Sequence, residues 1–224
     1  MIAAEEFTFV IEDDPPLTYI DEYNKPAGFL TEIGKAILKK SGFNIKGNIL
    51  VLPTIRADEF VRDNPYALIP YMTRKASRED LYHWVGPVAL REKWFYKLQS
   101  RTDIVVNDIV DLKKYYIGSV RGWSSTKSLV EQGYAVELSE NDNNHWKMFL
   151  HNRFDIIQAR DDEIAYWTKK LKFNTKTEKL ILFDDRYMYY MSVNKKTPIE
   201  LVNKMQKSLD TMKLNGEFEK IRRY

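Results

Sequence analysis

An alternation of period limits this chain more than any other feature. Short β-prone runs trade places with stretches whose apolar residues recur at helical spacing, and the series occurs twice. Phe7-Thr8-Phe9-Val10-Ile11 is β-prone and stops at Glu12-Asp13-Asp14-Pro15-Pro16, where two prolines force an extended or turning backbone. Leu17 to Ile20, with turn residues up to Gly28, reads as a small hairpin or loop. Phe29, Leu30, Ile33, Ile37 and Leu38 lie at helical spacing and predict a helix over 29–40, stopped by Ser41-Gly42. A strand over 48–52, a helix over 55–62 and a strand over 66–69 follow. Such a β-α-β-α-β series predicts a mainly parallel sheet, because parallel neighbours need a crossover between them.

The second series begins after Pro87. It predicts a strand over 94–99, a helical turn over 109–114 and a strand over 116–120. A Gly/Ser turn then opens a helix over 127–132, followed by a strand over 136–138 and a helix over 145–153. Next come a strand over 155–159, a helix over 161–170 and strands over 180–183 and 187–193. A long amphipathic helix over 198–214 and a last short helix close the chain. No repeat of fixed period is present. A length of 224 residues suits one large domain or two small lobes, and the doubled pattern favours two lobes.

Composition removes several classes of function. The 14 Tyr, 11 Phe and 5 Trp are incompatible with a solvating, disordered polymer. No stretch of about 18 residues is free of charge, so no membrane span is expected. A net charge of +3, with 35 basic and 32 acidic residues interspersed, does not indicate nucleic acid. The absence of cysteine excludes thiol nucleophiles, disulfides and cysteine metal sites. Met1-Ile2-Ala3-Ala4 runs straight into Glu5-Glu6 with no apolar core of a signal peptide. The chain therefore reads either as cytosolic or as a mature segment with an added start Met. His83, His145 and His151 form neither HxH nor HExxH spacing, and GxSxG, GxxxxGK[ST] and GxGxxG are missing. No catalytic residue, metal or cofactor is expected.

Two local signals remain. Gly122-Trp123-Ser124-Ser125 precedes a helix and suits an anion held by free N–H groups, or an ordinary cap by Ser124 or Ser125. Thr73-Arg74-Lys75-Ala76-Ser77-Arg78-Glu79 follows a strand. Arg offers a bidentate fork and Thr a further donor for a carboxylate, while a solvated basic loop is the alternative. Tyr71, Tyr82 and Trp84 either line a pocket beside it or belong to the core.

Taken in order, several pieces resemble the bacterial extracellular solute-binding proteins of family 3, the amino-acid receptors of ABC importers. Asp14-Pro15-Pro16-Leu17 and Gly28-Phe29-Leu30-Thr31-Glu32-Ile33 are similar to the family's opening strand exit and helix start. Met72 to Glu79 with Trp84-Val85-Gly86-Pro87 resembles its arginine-containing segment. Ile117-Gly118-Ser119-Val120 before Gly122-Trp123-Ser124, and Thr197-Pro198-Ile199-Glu200-Leu201 with Leu214-Asn215-Gly216, are similar to its glycine-containing strand with a Gly-Thr-Thr turn and to its closing helices. The resemblance covers nearly the whole chain. It implies an α/β, two-lobed type II periplasmic binding protein fold, with two mixed sheets flanked by helices and joined by a two-strand hinge. Lobe one would take 1–90 and 188–224, lobe two 91–187, with hinge segments at 90–93 and 185–188. The implied function is a monomeric periplasmic or extracellular receptor, not an enzyme. It would bind an amino acid or related small carboxylate in the inter-lobe cleft and deliver it to an ABC transporter permease. Alternatives on the same fold are the sensor domain of a membrane receptor and a cyclohexadienyl-dehydratase-like enzyme using Glu12, Asp14 and Asp161.

The resemblance also implies residue roles. Arg78 matches the arginine that pairs with the ligand α-carboxylate, and Thr73 the hydroxyl residue five positions before it. Ser124 matches a second carboxylate-holding threonine, and Trp123 replaces the threonine before that. Tyr71 falls where a small residue sits beside the ligand, so Pro70-Tyr71 implies a narrower cleft. Glu12 and Asp14 lie on the loop that supplies an acid and an aromatic lid. Arg160 stands where an acid binds the ligand amino group, with Asp161 one residue later. Asp161 in the cleft would preserve amino-acid binding, and Arg160 in the cleft would favour an acidic or non-amino carboxylate. The remaining alternative leaves Arg160 facing solvent at a strand end.

Overall fold

The computed structural model describes residues 4–121, 124–183 and 187–222, with Ser124 described by its backbone alone. The chain divides into two compact units, Met1–Arg91 with Tyr187–Tyr224, and Glu92–Arg186. Connectivity therefore passes from one unit to the other twice.

The first unit opens with β1 (Glu6–Ile11), β2 (Tyr19–Ile20), β3 (Pro26–Ala27), α1 (Phe29–Lys40), β4 (Asn44–Ile45) and β5 (Leu50–Val51). It continues with α2 (Thr54–Asp63), β6 (Ala67–Thr73) and β7 (Tyr82–Arg91). The second unit holds β8 (Trp94–Leu98), a 3-10 turn (Ile109–Lys114), β9 (Tyr116–Val120), α3 (Ser124–Glu131), β10 (Ala135–Ser139) and α4 (Asp142–Leu150). Its remaining elements are β11 (Ile156–Ala159), α5 (Asp161–Lys170) and β12 (Thr177–Leu182). The chain then returns to the first unit as β13 (Tyr187–Asn194), α6 (Ile199–Leu214) and α7 (Glu217–Arg222).

The first unit's sheet runs β4-β1-β6-β13-β7, with β5 also on β1. β1 is parallel to β4, β5 and β6, whereas β13 is antiparallel to β6 and β7. Side chains alternate across this sheet as a strand requires. Phe7, Phe9 and Ile11 of β1 and Leu68 of β6 pack with α1, α6 and α7 on one face. Val10, Ala67 and Ile69 pack with Ala57 and Val61 of α2 on the other. Both faces are covered, which explains why β1 and β6 read as nearly continuous apolar runs.

The second unit's sheet runs β10-β9-β11-β8-β12, parallel among β10, β9 and β11 and antiparallel at β8 and β12. Tyr96 and Ile157 face α4 and α5, while Phe95 and Ile156 face the 3-10 turn and α3. Each unit is thus a mixed sheet between helices. Among the described residues, no helix is long and apolar enough to cross a membrane.

α1 shows how sequence sets a boundary. Its cap, Gly28, has φ 107°, and a Cβ there would lie 2.4 Å from the Leu17 carbonyl oxygen, so only glycine is accommodated.

Several expected boundaries differ. β6 does not end at Ile69 but runs through Pro70 to Thr73. Its pairing with β13 shifts register between Tyr190 and Ser192, so Pro70 falls at an irregularity, where a missing N–H is tolerated. β7 was not expected, because Gly86-Pro87 interrupts it. Its pairing with β13 also slips, between Tyr189 and Met191, which accommodates that dipeptide. The strand expected over 48–52 is the shorter β5, Leu50–Val51, and β4 at Asn44–Ile45 was not expected; both pair with β1. α4 begins at Asp142 rather than 145, because the Asn141 side chain accepts the Asn144 N–H at 3.0 Å and caps the helix. α3 likewise starts at Ser124, earlier than the expected 127.

Candidate functional site

In open α/β sheets, ligands bind beyond the carboxyl ends of parallel strands. β1 and β6 are parallel neighbours in the first unit, so the residues that follow both lie at one edge. Glu12 and Asp14 follow β1, Tyr71 and Thr73 close β6, and Arg78 ends a 3-10 turn (Ala76–Arg78) just beyond.

These side chains are ordered by their neighbours. Thr54, the first residue of α2, donates its hydroxyl to Glu12 Oε2 at 2.5 Å. Thr18 donates to the Glu12 carbonyl oxygen at 2.6 Å. Burial raises the Glu12 carboxyl pKa above its ordinary value; the Thr54 bond and Arg78 oppose this, while Asp14 and Asp58 reinforce it. The buried Tyr71 donates its hydroxyl to Asp14 Oδ2 at 2.9 Å and meets Tyr189 edge-on at 4.9 Å. Asp58 accepts from the Tyr82 hydroxyl at 2.5 Å and pairs with Arg62 at 3.1 Å.

The basic stretch contributes two arginines with different fates. Arg74 binds Glu79 through two nitrogens, Nε at 2.8 Å and Nη2 closer. Its guanidinium also lies 5.8 Å from the Trp84 ring and 5.0 Å from that of Tyr190. Arg78 is half-buried and makes no side-chain hydrogen bond or ion pair among the described residues. Its electrostatic neighbours are Glu12 and Tyr82. A half-buried guanidinium that no described side chain satisfies, with a desolvated carboxyl among its electrostatic neighbours, can take up an anionic group.

In the second unit β9, β10 and β11 are parallel, and their carboxyl ends lead into α3 and α5. Trp123 lies outside the described residues, as does the Ser124 side chain. Arg160 caps α5 and is only 5% exposed, which overturns the reading of a solvent-facing side chain. Its Nε meets Asp162 at 3.0 Å and its Nη1 meets Glu163 at 2.8 Å. The Glu163 carboxylate also accepts the Arg160 N–H at 2.7 Å. Burying this cation is tolerated because it is paired on two sides. Asp161 accepts from the Tyr96 hydroxyl and pairs with Lys179 at 2.9 Å. Burial works to raise its carboxyl pKa, and these two contacts outweigh it, so the pKa is lowered.

Five of the expected residues, Glu12, Asp14, Tyr71, Thr73 and Arg78, share one edge of the first unit. Ser124, Arg160 and Asp161 lie at the carboxyl edge of the second. Tyr82 is 1% exposed and belongs to the core, although its hydroxyl reaches Asp58. Sequence reasoning missed Thr54 and Asp58, whose only signal is their place on α2 around the inward-facing Ala57. It also missed Gln158, a polar residue in a buried strand. Among the described residues, no group of three or more acidic or histidine side chains is arranged to hold a metal ion.

The model of the bacterial extracellular solute-binding proteins, family 3, matches residues 7–224. The chain belongs to this family. Its fold is that of the type II periplasmic binding proteins, and solved structures resemble it along nearly their whole lengths. An ancestral arginine-binding protein bound to arginine is 20% identical, with 96% of each chain covered and a TM-score of 0.74. A histidine kinase sensor domain with similarity to periplasmic binding proteins is 16% identical, covering 96% of this chain and 94% of that one at a TM-score of 0.77. The Lactococcus lactis GlnP substrate binding domain 2, in open conformation, is 19% identical, covering 99% and 95% at a TM-score of 0.71. No curated protein sequence matches the chain. At these identities the structural likenesses establish the fold of this family-3 protein, and its own side chains must carry the argument about ligand.

Proposed function

We propose that this family-3 protein is a periplasmic or extracellular receptor that binds an amino acid or related small carboxylate and delivers it to the permease of an ABC importer. In this reading residues 1–90 with 188–224 form one lobe, 91–187 form the other, and the solute sits between them. The observation that carries the proposal is Arg78, a half-buried guanidinium that no described side chain satisfies. A solute carboxylate would take its fork, with Thr73 as a further donor; the family resemblance assigns Ser124 and Trp123 to the same carboxylate. The solute ammonium would go to Glu12 and Asp14. Arg160 and Asp161 are already paired within their own unit, so Arg160 adds little uncompensated positive charge and an acidic solute is not required. The protein would act as a monomer, and solute would stabilise a closed state by its differential affinity for it.

A thermal-shift panel of amino acids, polyamines and small dicarboxylates tests this. A solute at a hundredfold excess over its Kd adds about 2.7 kcal/mol, roughly 5–10 °C for a chain of this length. Hits confined to amino acids are expected, and a flat panel would overturn the proposal. A sensor-domain role shares the binding step and draws support from the histidine kinase likeness. Stimulated ATP hydrolysis by a reconstituted permease would favour the importer over it. A dehydratase-like activity using Glu12, Asp14 and Asp161 would consume a prephenate-like acid, whereas a receptor returns its ligand unchanged.

A further inference from the structure

Gln158 is a polar side chain inside an otherwise apolar strand, flanked on β11 by the buried Ile156, Ile157 and Ala159, and it is 1% exposed. Its Nε2 donates to Ser125 Oγ at 2.9 Å and lies 3.5 Å from Ser119 Oγ. Ser119 Oγ and Thr126 Oγ1 are 2.6 Å apart, and Thr126 Oγ1 donates to the Val120 carbonyl at 2.7 Å. Thr126 has one hydroxyl hydrogen, already given to Val120, so Ser119 is the donor of the shared bond. Ser139 closes the series by donating to the Ser119 carbonyl at 3.1 Å. The directions of the Ser119, Thr126 and Ser139 bonds are then determined. Both amide hydrogens of Gln158 point at hydroxyl oxygens, one at the end of β9 and one in the first turn of α3. Flipping the amide would set its oxygen against the Ser119 oxygen, whose hydrogen is committed elsewhere.

The other end of the amide is unmatched. Gln158 Oε1 is buried and has no hydrogen-bond partner among the described residues. An unmet buried acceptor costs stability that Met or Leu at the same position would not cost. Retaining glutamine there makes sense if its donors matter more than its acceptor. Those donors tie the parallel strands to Ser125, the second residue of α3, whose first-turn N–H groups have no intrahelical partners. The positive end of the amide also adds to the positive end of the helix.

We propose that Gln158 is a positioning residue for solute binding, holding the first turn of α3 so that its backbone N–H groups face the anionic group of the solute. The inference rests on the reading that the solute carboxylate is taken at the start of α3. Gln158 touches no solute itself; it acts through Ser125.

The test uses the whole chain with Q158M, Q158E and S125A, the last releasing the same contact without altering the strand interior. Amide hydrogen exchange is followed by NMR without solute, and the common L-amino acids serve as thermal-shift probes. In Q158M and S125A, exchange is expected to quicken at residues 125–127 and not across the sheet. The Q158M melting temperature should match or exceed that of the wild type, while affinity for the responding amino acid falls about tenfold. In Q158E the affinity loss should be largest at neutral pH and should close as acid protonates the introduced carboxyl. Unchanged first-turn exchange would overturn the proposal. So would a lowered melting temperature with exchange raised throughout β9 and β11, the signature of a structural role alone. A wild-type protein that answers no probe would defeat the receptor reading, and the exchange pattern would still decide whether Gln158 positions α3.

Discussion

Replacing Arg78 by Ala separates a binding residue from a structural one. Arg78 closes the 3-10 turn after β6, is half-buried and bonds to no described side chain. Truncation therefore breaks no side-chain hydrogen bond or ion pair among the described residues, and removes only the longer-range attraction to Glu12 and Tyr82. Changes of that kind stay within about 0.5 kcal/mol, under about 2 °C for a chain this long. Removing one partner of a desolvated, hydrogen-bonded charge pair costs about 2–5 kcal/mol. At about 1.4 kcal/mol per decade, Kd should rise roughly 30-fold to 4,000-fold. Arg78 also opposes the upward shift of the Glu12 carboxyl, so in the variant that group should hold its proton to still higher pH. Calorimetric titration with the amino acid that most stabilises the wild type is the assay. Arg78→Lys should recover the charge but not the two-pronged geometry, and so only part of the affinity. An Arg78→Ala affinity within about twofold of the wild type would refute the reasoning, as would a large fall in the melting temperature of the unliganded protein.

Other perturbations probe the framework around the site. The Glu12 carboxyl pKa lies above its ordinary 4.5, so the folded state keeps a proton that the unfolded chain has released. Stability should fall as pH rises through that window, and Glu12→Gln should be more stable than wild type at neutral pH, with the difference vanishing below it. Urea midpoints across pH measure this, and a destabilised Glu12→Gln would contradict it. Burial, with help from Lys93, pushes the His145 pKa down to about 3 from 6.5. Stability should therefore be lost as pH falls from 6.5 toward about 3, by at most about 1.4 kcal/mol per pH unit, and His145→Phe should flatten that slope. A Cβ at Gly118 would sit 2.1 Å from the Phe154 ring, which is buried against His145 and Phe149. Gly118→Ala should cost about 1–3 kcal/mol or more. Adding Phe154→Leu should restore part of it, and an unchanged melting temperature in the single variant would show that the ring can retreat.

Much of this architecture is legible locally. α1, α5, β9 and the 3-10 turn at Ile109–Lys114 carry their signals within their own residues: an apolar stripe, a cap or a β-branched run between turn formers. Where a signal depended on a distant partner, it was lost. Pro70 and Gly86-Pro87 argue against a strand, yet β6 and β7 pass through both, because β13 slips register at each place. β13 itself comes from beyond the second unit, about a hundred residues further along the chain, and nothing local announces its neighbours.

The same division holds for the candidate site. Residue type and order along the chain sufficed to name Glu12, Asp14, Thr73 and Arg78 as polar groups near strand ends and to place them in a family. The family resemblance pointed to Arg78, but residue chemistry alone did not distinguish it from Arg74, since both side chains carry the same guanidinium group. Glu79, Trp84 and Tyr190 engage Arg74 and leave Arg78. Nor did residue type and order settle Arg160, whose burial follows from Asp162 and Glu163 folding back over it in the first turn of α5. Sequence alone determined which periods the backbone would follow and therefore most of the elements, the locally signalled ones. Tertiary structure decided which charges are already neutralised and which remain to be met, because neutralisation depends on distances of a few ångströms between residues that the chain keeps far apart.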